Sequence, residues 1–249
     1  MKAVIITVGN EILSGRTVNT NFSFIAKMLT YSGYTVVKGI IVPDNLDGIS
    51  NAFVEASKIG DVIVSSGGLG PTFDDMTLTG FSRAFGLKLS MNEQAVEMIK
   101  PKFDRLTPER EKMAIIPENA MPIRNDVGTA PGVYIKIDKN VYIIVPGVPR
   151  EAESIMANII NKIRLNNFVY CDRSFEVSGV MESILAPFVK KLMEEYGNAV
   201  YIKTHPKGNE VKSPILEIEV TASGKNKNIE STVDEVIDKI KKHINENDY

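Results

Sequence analysis

The sequence predicts an α/β protein: a three-layer αβα domain with a mostly parallel sheet, followed by a small α+β domain. Three observations predict it. Strand-like apolar runs alternate with amphipathic helical segments through the first two thirds of the chain. Three of those runs, "IITV", "VIVSS" and "YIIV", pass directly into glycine- or proline-rich turns, "GNE", "GGLGPT" and "PGVP". After about Asn166 the order changes to a short β-α-β-β-α series, which places the domains at 1–166 and 167–249.

The elements follow in order. "KAVIITV" (Lys2–Val8) is a buried-strand run. In "NTNFSFIAKMLTYSG" the residues Phe22, Ile25, Met28 and Leu29 recur at helical spacing, and Gly33 ends the helix. "YTVVKGIIV" (Tyr34–Val42) is a strand, "NLDGISNAFVEASK" a helix and "DVIVSS" (Asp61–Ser66) a short apolar strand. "DDMTLTGFSRAFG" is expected to begin a helix at its aspartates. "VYIKI" and "VYIIV", separated by "DKN", read as a hairpin, so one edge of the sheet is expected to be antiparallel. "REAESIMANIINKI" (Arg150–Ile163) closes the first domain as an amphipathic helix. Beyond a short join near Leu165–Val169, "SFEVSGV", "AVYIKTH" and "PILEIEVTA" read as strands, and "ESILAPFVKKLMEEYG" and "IESTVDEVIDKIKKHI" as helices.

Composition narrows the function. The 249 residues carry 43% hydrophobic and 24% charged residues, ordinary for a globular chain. A net charge of -2 gives no basic footprint for nucleic acid or an anionic membrane. The second domain, with 11 Lys+Arg against 14 Asp+Glu, is mildly acidic. The single cysteine, Cys171, excludes an intramolecular disulfide and a multi-thiolate zinc site, and two histidines exclude a His-rich metal cluster. No apolar run approaches the roughly 18 residues of a membrane span. The expectation is a reduced, cytoplasmic protein.

If the three strands are parallel, their turns share the carboxyl edge of the sheet, where open α/β folds bind ligands. Glycine serves many such turns merely to reverse the chain, so the convergence of three is the signal. In "SSGGLGPTFDDMT" (Ser65–Thr77), Gly67, Gly68 and Gly70 permit backbone shapes and close approaches that a Cβ would block. Their N–H groups, with those opening the following helix, can point at one anion. No Lys-Ser/Thr pair follows, as in a Walker A loop, and the third glycine of a dinucleotide fingerprint is missing. Asp74 and Asp75 repel a phosphate. One aspartate is explained as a helix cap. Two side by side also fit a divalent cation, Mg²⁺ or Co²⁺/Ni²⁺, lying between them and a phosphate.

Weaker candidates surround these. "GNEILSG" brings Asn10, Glu11 and Ser14 to the same edge, though Ser14-Gly15 is equally a plain turn. Asn19–Asn21 reads as helix caps. "VGTAPG" (Val127–Gly132) is a second glycine-bracketed loop that can take phosphate through Thr129 and backbone N–H groups. Arg150 fits either a phosphate contact or solvent, and Met113, Met121 and Met156 read as core.

"GNEILSGRTVNTN", "GGLGPTFDDMT", "MAIIPENA", "VGTAPGVYI" and "VPGVPRE", in this order, resemble the amino-terminal region of the CinA (competence/damage-inducible protein A) family. That region belongs to the molybdopterin-binding-domain superfamily, with MoaB- and Mog-like proteins. The resemblance covers about residues 1–165, and the tail is similar to the KH-like domain that follows in CinA proteins. That tail lacks a nucleic-acid GXXG loop between helices, so no RNA binding is expected. The resemblance implies metal-dependent hydrolysis of a nucleoside diphosphate linkage, ADP-ribose giving AMP and ribose 5-phosphate. In it Gly67, Gly68, Gly70 and Thr72 would cradle phosphate, and Asp74 and Asp75 would bind metal and serve catalysis. Glu11 stands where the superfamily has an acidic residue after the first strand. Gly128 and Thr129, with Pro146 and Gly147, would wall the ligand. Relatives self-associate, so a homo-oligomer is expected.

Two departures bear on this. Many CinA proteins continue into a nicotinamide-nucleotide amidase domain, and this chain stops before it, so deamidation is not expected. Leu69 stands where the Mog-like branch has threonine, which favours the CinA branch. The alternatives are adenylyl transfer to molybdopterin and a non-catalytic nucleotide- or pterin-binding module.

Overall fold

Lys2–Val8 forms β1, in which every residue after Lys2 is buried. A strand apolar on both faces must be covered on both faces, which is the condition of a central parallel strand. The computed structural model describes residues 1–207, 213–225 and 228–247. Its contacts form two units, Met1–Arg164 and Leu165–Tyr249.

In the first unit β1 is followed by α1 (Asn10–Leu13), α2 (Thr20–Tyr31), β2 (Thr35–Val42), α3 (Leu46–Ile59), β3 (Val62–Ser66) and α4 (Thr77–Phe85). Then come β4 (Leu89–Met91), α5 (Glu93–Ile99), α6 (Pro108–Lys112), β5 (Ile115–Pro117) and β6 (Met121–Ile123). The hairpin β7 (Gly132–Ile137) and β8 (Asn140–Val145) precedes α7 (Pro149–Ile163). The main sheet has the order β2-β1-β3-β8-β7-β6. β2, β1, β3 and β8 are parallel neighbours, while β7 and β6 run antiparallel at one edge. α3 packs beside α4, and α2 beside α7. Val4, Ile6 and Val8 of β1 share a buried core with Ile49 and Phe53 of α3 and Phe81 of α4.

The helix expected to start at the aspartates starts at Thr77 instead. Met76 is its N-cap and makes no side-chain capping bond. Asp74 and Asp75 therefore lie in the turn before the helix and do not cap it, because Thr72 and not the helix N–H groups engages their carboxylates.

In the second unit β9 (Val169–Ser178), α8 (Glu182–Tyr196), β10 (Val200–Lys207), β11 (Ile215–Gly224) and α9 (Ile229–Glu246) follow the expected order. The sheet is antiparallel, β10-β11-β9. Leu216, Ile218 and Val220 of β11 pack on Leu185 of α8 and Val233 and Val236 of α9. Among the described residues no helix is long and apolar enough to cross a membrane.

Phe81 anchors the helix that follows the glycine loop. It has no exposed surface, and its ring stands edge-on to Phe53 at 4.9 Å and to Tyr142 at 5.1 Å. Removing a buried aromatic side chain costs the transfer energy of the ring plus the cavity left behind. Phe81→Ala is expected to lower stability by about 3–5 kcal/mol, measured by urea denaturation followed by circular dichroism.

Candidate active site

β1, β3 and β8 end at Val8, Ser66 and Val145, on the same edge because they are parallel neighbours. The turns that follow enclose a cavity of about 460 Å³. Glu11, Gly67, Gly68, Gly70, Thr72, Asp74, Asp75, Thr129, Pro146 and Gly147 all line it. Ser14 does not: it is the C-cap of α1, exposed, with its hydroxyl on the Glu11 carbonyl. Gly128 also lies outside the lining. A Cβ there would fall 1.9 Å from Glu151 Cδ, so the glycine gives Glu151 room. Arg150 is exposed and outside the lining.

Two glycines of the loop are required by backbone shape, with φ of +106° at Gly67 and +65° at Gly68. A Cβ on Gly67 would sit 2.1 Å from the Val8 carbonyl oxygen, and one on Gly68 2.2 Å from Thr77 Oγ1. Gly70 needs space: its Cβ would lie 2.5 Å from Asp75 Oδ2. The Gly67 N–H donates to the Val145 carbonyl at 3.0 Å, so it is not a donor for a ligand. Thr77 holds the loop from the helix side, its hydroxyl on the Gly67 carbonyl (2.8 Å) and its N–H on the Gly68 carbonyl (3.1 Å). Among the described residues the N–H groups of Gly68, Leu69 and Gly70 donate to no protein group, and all three residues line the cavity. Leu69 turns inward, buried and part of the apolar core.

The acidic turn is organised by Thr72. Its N–H donates to Asp75 Oδ2 at 2.9 Å, and its hydroxyl oxygen lies 2.6 Å from the same atom and within bonding distance of Asp74 Oδ1. A hydroxyl has one proton to donate. Two carboxylates therefore converge on a donor that can satisfy one of them at a time, and Asp74 Oδ2 and Asp75 Oδ1 are not engaged by it. The Thr72 bond, aided by the Lys112 charge, holds the Asp74 carboxyl below its ordinary pKa.

Other residues frame the cavity. Asn19 caps α2 as expected, accepting from Phe22 N (3.1 Å), and its amide donates to Thr7 Oγ1 (3.0 Å). Asn21 is no cap: its amide donates to the Gly147 carbonyl at 2.8 Å and fixes the turn after β8. Asn125, buried, accepts from Val127 N (3.2 Å) and Gly128 N (2.8 Å) and donates to the Ala130 carbonyl (2.9 Å), shaping the loop that carries Thr129. Its amide also reaches Glu151 Oε2 at 2.6 Å.

Sequence reasoning missed Asp44, Glu151, Asn125 and Lys112. Asp44 lines the cavity two residues beyond β2 and accepts from Asn10 N at 2.7 Å. The carboxyl-edge rule applied to β2 would have found it. Glu151 follows Arg150 in the first turn of α7, where an acidic residue suits the helix dipole. Lys112 carries no local signal, since its partners are about forty positions away, at Thr72 and Asp75.

Five carboxylates line the cavity, those of Glu11, Asp44, Asp74, Asp75 and Glu151, and among the described residues no lysine or arginine does. Among the described residues no group of three or more His, Cys, Asp or Glu side chains is clustered closely enough to cage a metal. The donor set fits a hard cation such as Mg²⁺, which takes one or two carboxylates and fills its remaining positions with water and phosphate oxygens. Asp74 and Asp75 are the residues that would hold it.

A mostly parallel α/β sheet with a glycine loop, an acidic turn and a ligand-sized cavity at its carboxyl edge defines the class. The chain belongs to the family described as the probable molybdopterin binding domain, whose model matches residues 4–165. It is similar to the crystal structure of the protein CinA, of unknown function, from Thermoplasma acidophilum. That match has 52% identity and a TM-score of 0.65, covering 66% of this chain and all of that one. Protein TV0584 of Thermoplasma volcanium is 51% identical over 222 residues, spanning 88% of this chain and 86% of that protein. A protein of Caldivirga maquilingensis is 46% identical over 248 residues, spanning 98% of this chain and 94% of the other.

The Thr72–Asp74 bond has a direct spectroscopic consequence. A carboxyl whose folded pKa is depressed contributes stability above its unfolded pKa and loses it as pH falls through the folded value. Thr72→Val removes the donor, so the Asp74 carboxyl resonance is expected to titrate at higher pH than in the parent protein. Carbon-13 NMR of the side-chain carboxyls reads this. An unmoved Asp74 titration would remove Thr72 as the cause.

Proposed function

We propose that the protein hydrolyses a nucleoside diphosphate linkage with a divalent cation, ADP-ribose giving AMP and ribose 5-phosphate. The observation that carries the proposal is the pairing of free loop N–H groups with a carboxylate-lined, lysine- and arginine-free cavity. Bare carboxylates repel a pyrophosphate. A pyrophosphate accompanied by a divalent cation is attracted, and the acidic lining becomes an advantage.

The chain's own groups divide the work. The N–H groups of Gly68, Leu69 and Gly70 would donate to non-bridging phosphoryl oxygens as charge develops on them. Asp74 and Asp75 would orient the diphosphate through the shared cation and accept hydrogen bonds from the attacking water. When bound, the cation neutralises phosphate oxygens and makes water more acidic. The new bond joins the water oxygen to one phosphorus. The bond that breaks joins that phosphorus to the bridging oxygen, which leaves with the second phosphate, and the water proton passes to solvent. A homo-oligomer, if formed, needs no part in these steps.

Adenylyl transfer to a pterin in the same cavity is the second reading, favoured by the family's description as a molybdopterin binding domain. The two separate by product. Purified protein is incubated with ADP-ribose, and separately with ATP and molybdopterin, with Mg²⁺, Co²⁺ or Ni²⁺ and without metal. Metal-dependent AMP from ADP-ribose supports hydrolysis, while an adenylylated pterin with intact ADP-ribose replaces it with transfer. Asp75→Asn is expected to lower hydrolysis by on the order of a hundredfold or more, the scale of losing one preorganised electrostatic contact, with an unchanged circular dichroism spectrum. Parent-like turnover by Asp75→Asn sinks the role given to Asp75.

A further inference from the structure

We infer that Lys112 is a positioning residue, whose ammonium pins the turn from Thr72 to Asp75 so that the two carboxylates stand ready for a divalent cation; this rests on the reaction proposed above. Nζ donates to two main-chain carbonyls, Thr72 O and, at 2.9 Å, Asp75 O. Those carbonyls belong to the two ends of the turn, so one ammonium fastens both. The turn needs fastening. Its own backbone bond, from the Asp75 N–H to the Thr72 carbonyl, is long at 3.3 Å. Within it two carboxylates share one hydroxyl proton and the Thr72 N–H, so that like-charge repulsion tends to open it.

The anchor is supported from behind. Lys112 ends α6, and the next residues, Met113 and Ala114, are buried in the apolar core. Met113 also lines the cavity. Because Nζ bonds carbonyls and not carboxylates, it leaves Asp74 Oδ2 and Asp75 Oδ1, the oxygens that Thr72 does not engage, open to a cation. Lys112 itself is outside the lining of the 460 Å³ cavity, so it acts through the turn and not on the ligand.

An ammonium near a cation site also repels the cation, and the two effects have opposite signs. Positioning predicts weaker cation binding when the ammonium is removed; repulsion predicts tighter binding. Mn²⁺ binding to the metal-free protein, followed by electron paramagnetic resonance, distinguishes them. Lys112→Met keeps the aliphatic stem and is expected to weaken Mn²⁺ binding by about tenfold or more, the scale for losing a group that orients metal ligands. Lys112→Arg, which keeps the charge and the donors, is expected to recover most of the affinity. Melting temperatures of both variants are measured alongside, and if Lys112→Met does not fold, Lys112→Gln replaces it.

Mn²⁺ binding by the folded variant that is unchanged or tightened overturns the inference. Hydrolysis of ADP-ribose is read in the same samples. If the parent protein turns over no ADP-ribose but loses Mn²⁺ affinity on substitution, the reaction falls and the positioning role stands. If turnover is present and Mn²⁺ binding is indifferent to residue 112, the reverse holds. A parent protein that binds no Mn²⁺ overturns the positioning role, and the ADP-ribose assay then decides the reaction by itself.

Discussion

The missing side chain of Gly67 is the constraint on which the site depends. Its backbone leaves β3 between two neighbouring parallel strands, so close to β1 that a Cβ would lie 2.1 Å from the Val8 carbonyl. On the other side its N–H is bonded to Val145, the last residue of β8. One residue thus joins three strand ends. From there the chain turns through Gly68, drops Leu69 into the core and re-emerges at Gly70 beneath the Asp75 carboxylate. Each later feature of the cavity, from the open N–H groups to the acidic turn, depends on that crossing.

The electrostatics then run opposite to a familiar phosphate loop. Such loops place a lysine beside the anion, whereas here the lysine near the loop, Lys112, is turned onto backbone carbonyls. Five carboxylates and no lysine or arginine among the described lining residues make the cavity unfavourable to a bare anion. Under the proposed reaction, that lining would favour a cation-paired diphosphate over a bare one.

Much of this was legible in the sequence, for a physical reason. β1, β3 and β8 are buried parallel strands, so their apolar runs are continuous and the glycines that follow them stand out. Ten of the twelve expected site residues line one cavity: nine follow the ends of the neighbouring parallel strands β1, β3 and β8, and Thr129 precedes the antiparallel β7 at the same edge. What was not legible depended on distance in the chain. β4, β5 and β6 are three residues each, too short for any periodicity to show. The start of α4 was misplaced because a paired aspartate mimics a cap, whereas Thr72, just upstream, takes the carboxylates for itself. Asn21 reads as a helix cap and Asn125 as an ordinary loop asparagine. Their function lies in the carbonyls they bind, Gly147 and Ala130, and no local pattern announces those.

Leu69 shows how the loop distributes its duties. At the same place a threonine would add a hydroxyl to the cradle; a buried leucine adds an apolar anchor under it. An anchored loop holds its N–H groups in place before a ligand arrives, so less conformational entropy is lost on binding. With recognition left to the backbone, the side chains of the turn are free to carry negative charge, an arrangement a loop relying on a basic side chain could not adopt without neutralising itself. Under the proposed reaction the glycines and the aspartates of "GGLGPTFDD" would be two halves of one design: backbone donors for phosphate oxygens, carboxylates for a cation that accompanies them.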